Sequence, residues 1–296
     1  MKFNKNEFGW KEKVGANTNE LSDDVSIKNS LTVGSRIGYI GLYSVAEGFQ
    51  NTASGDASHA EGYNTKANGD YSHAEGNSTE ASGEVSHSEG GNTIASGEVS
   101  HAEGDSTEAS GYASHSEGAG TTASGDFSHA EGGGTTASGS NSHAEGEYAT
   151  ASGIDSHAEG TGTTASGNLS HAEGEETTAS GYASHAEGCD TKASSDYQHV
   201  QGQYNIEDTE NRYLHIVGNG SSDTERSNAH TLDWNGNAWY KGKLSQDGTP
   251  TEDKDLATKK YVDDAIANQP QISFDTEGNL VVTIGGVTKK FKEIIE

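Results

Sequence analysis

The residues of this chain best equipped for chemistry come in pairs two positions apart. His59 and Glu61 are followed fourteen residues later by His73 and Glu75, then His87 and Glu89, His101 and Glu103, His115 and Glu117, His129 and Glu131, His143 and Glu145, His157 and Glu159, His171 and Glu173, and His185 and Glu187, until His199 stands with Gln201. An imidazole and a carboxylate on one face can share a hydrogen bond, exchange a proton or ligate a metal. Catalysis by the neighbouring serines is excluded, because Ser58 and His59 are adjacent on an extended strand and face opposite ways. The chain has no phosphate loop of the Gly-x-x-x-x-Gly-Lys-Ser/Thr type, no His-Glu-x-x-His and no calcium-roll wording, and "GGGTTASG" belongs to the repeat. The pairs read as a structural hydrogen-bond ladder, with no cofactor, no metal and no catalytic residue; a metal held where three chains converge on an axis is the alternative.

A period of fourteen held by eleven of the thirteen histidines must come from an element that repeats in space. In "SHAEG" the pleat sends Ser58, Ala60 and Gly62 to one side and His59 and Glu61 to the other; in "TKANG" it groups Thr65, Ala67 and Gly69. Two short strands and two tight turns close one coil, whose small face points into a narrow interior. Nothing in the repeats has helical spacing. Only 29% of residues are hydrophobic and 40 are glycine, too little for an ordinary large core. An all-β solenoid fits both facts, with roughly 12 coils stacked about 4.8 Å apart into a rod of about 60 Å.

The formal charge is −28, and residues 48–202 carry 24 Asp and Glu against two lysines, Lys66 and Lys192, which excludes nucleic acid as a partner of the repeats. No apolar run has the length of a signal peptide or of a membrane span, so a chain without membrane insertion is expected. Cys189, the single cysteine, rules out a disulfide framework and reads as a tolerated surface residue.

A bare glutamate column at this spacing repels itself, and the histidines supply donors that offset the repulsion. The invariance of the pair from coil to coil, beside drifting residues at positions 63, 64, 70 and 71 and their equivalents, marks it as a subunit interface in which His meets Glu of another chain or of a neighbouring coil. The repeat resembles the head repeat of YadA-type trimeric adhesins, with the adhesin-like wording "NSLTVGS" (Asn29 to Ser35) and "SVAEG" (Ser44 to Gly48), where Val45 holds the place of His59. That resemblance implies a left-handed parallel β-roll in a homotrimer, with His and Glu standing where the adhesins carry apolar pairs. The "SHAEG…TxASG" wording is also similar to fibre and appendage proteins of bacteriophages.

The expected organisation is an attachment segment at 1–29, the β-roll at 30–204, a β-hairpin module at 205–248 with a turn at Asn235-Gly236, a short trimeric coiled coil at 249–270 and a β meander at 271–296. Leu256, Val262, Ala265 and Ile266 form the apolar stripe of the coiled-coil helix, whose "LATKKYVDDAI" resembles a segment of phage fibre and tail proteins. The meander is expected to turn near Thr276-Glu277-Gly278 and Gly285-Gly286.

The function these features favour is that of a non-enzymatic, homotrimeric virion protein: a bacteriophage fibre or decoration protein on capsid, neck or tail proteins, projecting a module toward a host-surface glycan or receptor. The alternative is a carbohydrate-active, depolymerase-like tail fibre. A weaker third reading, ice or flat-lattice binding by the column of Thr65, Thr79, Thr93 and Thr107, is interrupted at Ala149. Charge pairing in the ladder predicts histidine pKa values raised above about 6.5 and greatest stability in mildly acid solution.

Overall fold

The computed structural model describes residues 40–242, 269–284 and 286–291, the backbone of strands Lys2–Lys5, Lys11–Val14 and Leu31–Arg36, and the positions Val262 and Ile266. The chain divides into two units, Met1–Trp239 and Tyr240–Glu296.

The first unit is a parallel β-solenoid of about 12 turns. One coil consists of the strand His59–Tyr63 and the short strand Lys66–Ala67. Each pairs in parallel with its own counterpart fourteen residues on, His59 opposite His73 and Lys66 opposite Glu80. Through the His-Glu repeats the interior holds only small side chains. Ala60 and Ala67 are wholly buried and Ser58 and Thr65 nearly so, and the same is true of their equivalents along the stack. Where an interior alanine becomes Ser88 or Ser116, its hydroxyl bonds to the facing Thr93 or Thr121, at 2.7 and 2.8 Å. The serine before each histidine turns back onto the corner, as Ser58 Oγ donates to the Gly55 carbonyl at 2.7 Å. The threonine column therefore lies inside the roll and cannot present a flat lattice to ice.

Two glycine columns explain how the coils come so close. Gly69 is buried, and a Cβ there would strike the carbonyl oxygen of Gly83 in the next coil. Gly62 faces outward rather than into the interior expected for it, because it sits at φ +109 and turns the chain at the end of the strand. Left-handed backbone also falls on residues with side chains. Tyr71, Phe127 and Leu169 adopt it, and so do the β-branched Val85 and Val99 at φ 58 and 61. Such conformations cost of order 1–2 kcal/mol per residue. They are held because each N–H donates across to the preceding coil, Val85 to the Asp70 carbonyl and Val99 to the Glu84 carbonyl, both at 2.8 Å.

The stack is closed at both ends of its threonine column by asparagine. Asn51 accepts the Thr65 N–H at 2.9 Å, and Asn205 accepts the Lys192 N–H at 2.7 Å while donating to the Lys192 carbonyl. At the far end the interior residues grow, with Val200 and Ile216 fully buried and Gln198 bonded to the buried Asp208. The strand Tyr213–Asn219 adds one more parallel layer, His215 opposite His199, and the antiparallel strand Asn228–Asp233 then covers it. Asn235-Gly236 turns the chain toward Ala238–Tyr240, with Gly236 at φ 81.

In the second unit Gln271–Phe274, Leu280–Ile284 and Val287–Phe291 form a three-stranded antiparallel sheet, with turns at Asp275–Asn279 and at Gly286, as expected from the sequence. Of the expected coiled-coil core, Val262 and Ile266 are helical in backbone and exposed. Leu256 and Ala265 lie outside the described residues.

Gly111→Ala places its methyl against the Gly125 backbone, whereas Gly120, at φ 67, has open space around its Cβ. Thermal or denaturant unfolding of the two variants should separate these effects: Gly111→Ala is expected to cost at least about 3 kcal/mol and Gly120→Ala only about 1 kcal/mol.

Candidate functional site

The fourteen-residue register brings every His-x-Glu pair onto one face in two parallel columns. From His59 to His199 the imidazole rings stack face to face, 4.7–4.9 Å between centres and 1–11° from parallel. This spacing is that of neighbouring β-strands and is imposed by the backbone. The side chains are about one-third exposed, with the Nε2 edge turned toward the glutamates; His101 and Glu103 are at 35% and 33%.

Contacts within the column shift along the stack. In the first coils each imidazole lies 3.9 Å from the carboxylate of its own coil, as His59 with Glu61 and His73 with Glu75. His101 sits between two carboxylates, 3.9 Å from Glu103 and 4.0 Å from Glu89. From His129 onward the partner is the glutamate of the preceding coil: His129 with Glu117, His157 with Glu145 and His199 with Glu187, each at 3.2 Å. His143, His171 and His185 reach Glu131, Glu159 and Glu173 at 3.8, 3.7 and 3.5 Å. Contact with a neighbouring coil, one of the two arrangements expected for the ladder, thus occurs within a single chain.

Two further residues join the column that the repeat count left out. His215 lies 5.3 Å from His199, tilted by 43°, and His230 lies 5.5 Å from His215 edge-on. All thirteen histidines of the chain therefore form one run. The spacing breaks here, sixteen residues and then an antiparallel return, so periodicity alone misses them. "HIVGN" set beneath "HVQGQ" carries the signal, since His215 and Gly218 pair with His199 and Gly202. Gln201 ends the carboxylate series and holds His215 Nε2 at 3.3 Å.

The electrostatics differ from the expectation of raised histidine pKa values. Burial of the ring, followed for most of them by the charge of the neighbouring imidazoles, holds His73, His101, His115, His143 and His171 below the ordinary value. The glutamates alternate. Hydrogen bonding between neighbouring carboxyls raises Glu61, Glu117 and Glu89, the last to about 7, and lowers Glu75, Glu103 and Glu131. From Glu61 to Glu131, raised and lowered carboxyls therefore alternate from coil to coil. Such a row attracts cations and lies along open grooves.

The YadA head domain repeat matches the chain over residues 130–156, 144–170, 158–184 and 172–188. No curated protein matches it. The repeats and the fourteen-residue β-solenoid together fit a YadA-like trimeric adhesin head β-roll. Within it Val45 pairs with His59 and Leu31 with Val45, so the backbone register continues from His and Glu into apolar residues at the N-terminal coils.

The pKa directions fix a pH profile. A depressed histidine refuses a proton that the unfolded chain accepts, so stability present above about 6.5 is lost as pH falls below it. A raised glutamate does the reverse: its contribution is complete below about 4.3 and is lost as pH rises through its folded value, about 7 for Glu89. Melting temperature in the presence of chelator should accordingly peak near pH 6–7. The double variant His101→Gln/His115→Gln should flatten the acid side of that curve; a maximum at pH 5 would show the imidazoles to be charged.

Proposed function

We propose that this chain is a non-enzymatic, homotrimeric, adhesin-like fibre protein of a bacteriophage virion, which holds its C-terminal unit away from the particle to contact a host-surface glycan or receptor. The observation that carries the adhesin-like reading is the match of the head repeat on a stack whose interior admits only small side chains. An architecture of that kind supplies length and a repeated surface and encloses no site for a substrate.

Trimer formation is supported from both units. The His and Glu columns form a polar face too regular for free surface, and their register is that of the apolar pairs in the adhesin-like coils. In the second unit Ile272, Phe274 and Val287 are 68%, 72% and 65% exposed on a sheet too small to bury them, which calls for cover by other copies. Val262 and Ile266, helical and exposed, fit a coiled coil formed between chains. The virion assignment rests on the "SHAEG" and "LATKKYVDDAI" wording. Residues 1–29 serve as the attachment segment in this reading, to capsid, neck or tail proteins.

A carbohydrate-active fibre is the second reading, favoured by one observation: Glu89 is pushed up to about 7 beside a depressed Glu103. Carboxyls with separated pKa values are what acid and base roles require. Release of reducing ends from host polysaccharide by the purified chain would establish it.

Sedimentation equilibrium is expected to give three chains per particle with little monomer at low concentration, and a folded monomer would end the trimeric reading. Deleting residues 1–29 should leave a folded rod absent from virions imaged with an antibody to the C-terminal unit; normal incorporation would place attachment at the other end.

A further inference from the structure

The carboxylates of the ladder run along open grooves. One, of about 500 Å³, is lined by Glu145, Glu159, Glu173 and Glu187 and the glycines that follow them; another, of about 550 Å³, is lined by Glu47, Glu61 and Glu75 with theirs. The imidazole Nε2 atoms face the same carboxylates. In His101, His115 and His143, among others, this atom is withdrawn from solvent and has no hydrogen-bond partner in the protein, although a carboxylate lies nearby. Ligand atoms of His115, Glu117 and His129 lie within 4.8 Å of one another, as do those of Glu47, His59 and Glu61, and the arrangement recurs along the stack.

We propose that this face is a linear binding site for divalent transition-metal ions of the Zn²⁺ type, each held by one imidazole Nε2 and by carboxylate oxygens from the flanking coils. The donor set decides the class of ion. Imidazole with carboxylate suits zinc, nickel and copper, whereas calcium and magnesium prefer oxygen alone. Ring geometry decides the ligand count. Lone pairs of parallel imidazoles point the same way and do not converge, so one ion takes one ring, and the carboxylates on either side complete its first ligands. Bonds of about 2.0–2.2 Å require the side chains to close in from their present separations, which the long glutamates allow.

Charge sets the occupancy. One divalent ion for each pair of glutamates neutralises the column and keeps ions off adjacent levels, where they would repel, so the ten His-Glu coils should hold about five ions per chain. Imidazole and carboxylate bind a metal only when unprotonated, so binding weakens in acid.

The test uses the untagged full chain, stripped with chelator, desalted and titrated with zinc chloride at pH 7.5. Elemental analysis after a second desalting should find about five zinc ions per chain, the melting temperature should rise, and calcium should do neither. Replacing His101, His115, His129 and His143 together by glutamine should reduce the count to about three without changing the circular dichroism, since each ion spans two levels. Retention of one zinc or fewer, equal retention of calcium, or an unchanged count in the quadruple variant overturns the proposal. Should that variant misfold, zinc-edge X-ray absorption of the loaded, unaltered chain decides: imidazole nitrogen with oxygen at about 2.0–2.2 Å is expected, and scattering from oxygen alone or from sulfur refutes the proposal.

Discussion

Everything in the first unit follows from closing a coil in fourteen residues. A coil that short has room inside for alanine, serine and threonine and little else, so it cannot be stabilised as a globular core is. It gains instead from pairing every strand with the same strand one coil on, which satisfies backbone groups in a repeating lattice and removes sheet edges except at the two ends. The close approach of coil to coil is what Gly69 and Gly62 make possible, the first by lacking a Cβ against the next carbonyl and the second by taking a left-handed turn. Strain at Val85 and Val99 is tolerated for the same reason: the lattice fixes the corner, and the residue at the corner conforms.

The histidine and glutamate columns are a by-product of that lattice turned to use. Whatever residue occupies a given phase is stacked on its own kind at strand spacing, so a single chemical choice is multiplied along the unit. For imidazole this gives parallel rings with one edge withdrawn from water. For glutamate it gives a row of like charges relieved by shared protons and by the imidazoles beside it. The balance is a poised one: each component prefers the other's disfavoured pH, and cations compete with protons for the same oxygens. A face of this kind can join chains, bind ions or do both, without a pocket.

Much of this was legible in the sequence, because period and pleat are both arithmetic. Fourteen residues with Ala60 and Ala67 on the inner face and His59 and Glu61 on the outer one specify the register, the buried alanines and the stacked columns directly. The threonines were buried as the pleat required, which removed the lattice-binding reading. What escaped had physical causes. Strict alternation puts Gly62 inward, whereas its φ of +109, inside the strand, turns it outward. His215 and His230 were missed because their layer is reached through a longer connection and an antiparallel return. The histidine pKa values run against the charge-pairing expectation because burial of the rings and the charge of neighbouring imidazoles outweigh the attraction of the carboxylates.

The chain advances one strand spacing for every fourteen residues, and this advance makes the columns. Pulsed electron resonance distances test it most directly, with Cys189→Ser as background, cysteines introduced at the strand-end positions Asn77 and Thr161 and spin-labelled, and the labelled chain diluted with unlabelled protein. The two sites are six coils apart, and the predicted distance is about 29 Å with a narrow distribution. A broad distribution, or a mean beyond about 40 Å, would contradict the register and with it the stacked imidazole and carboxylate columns.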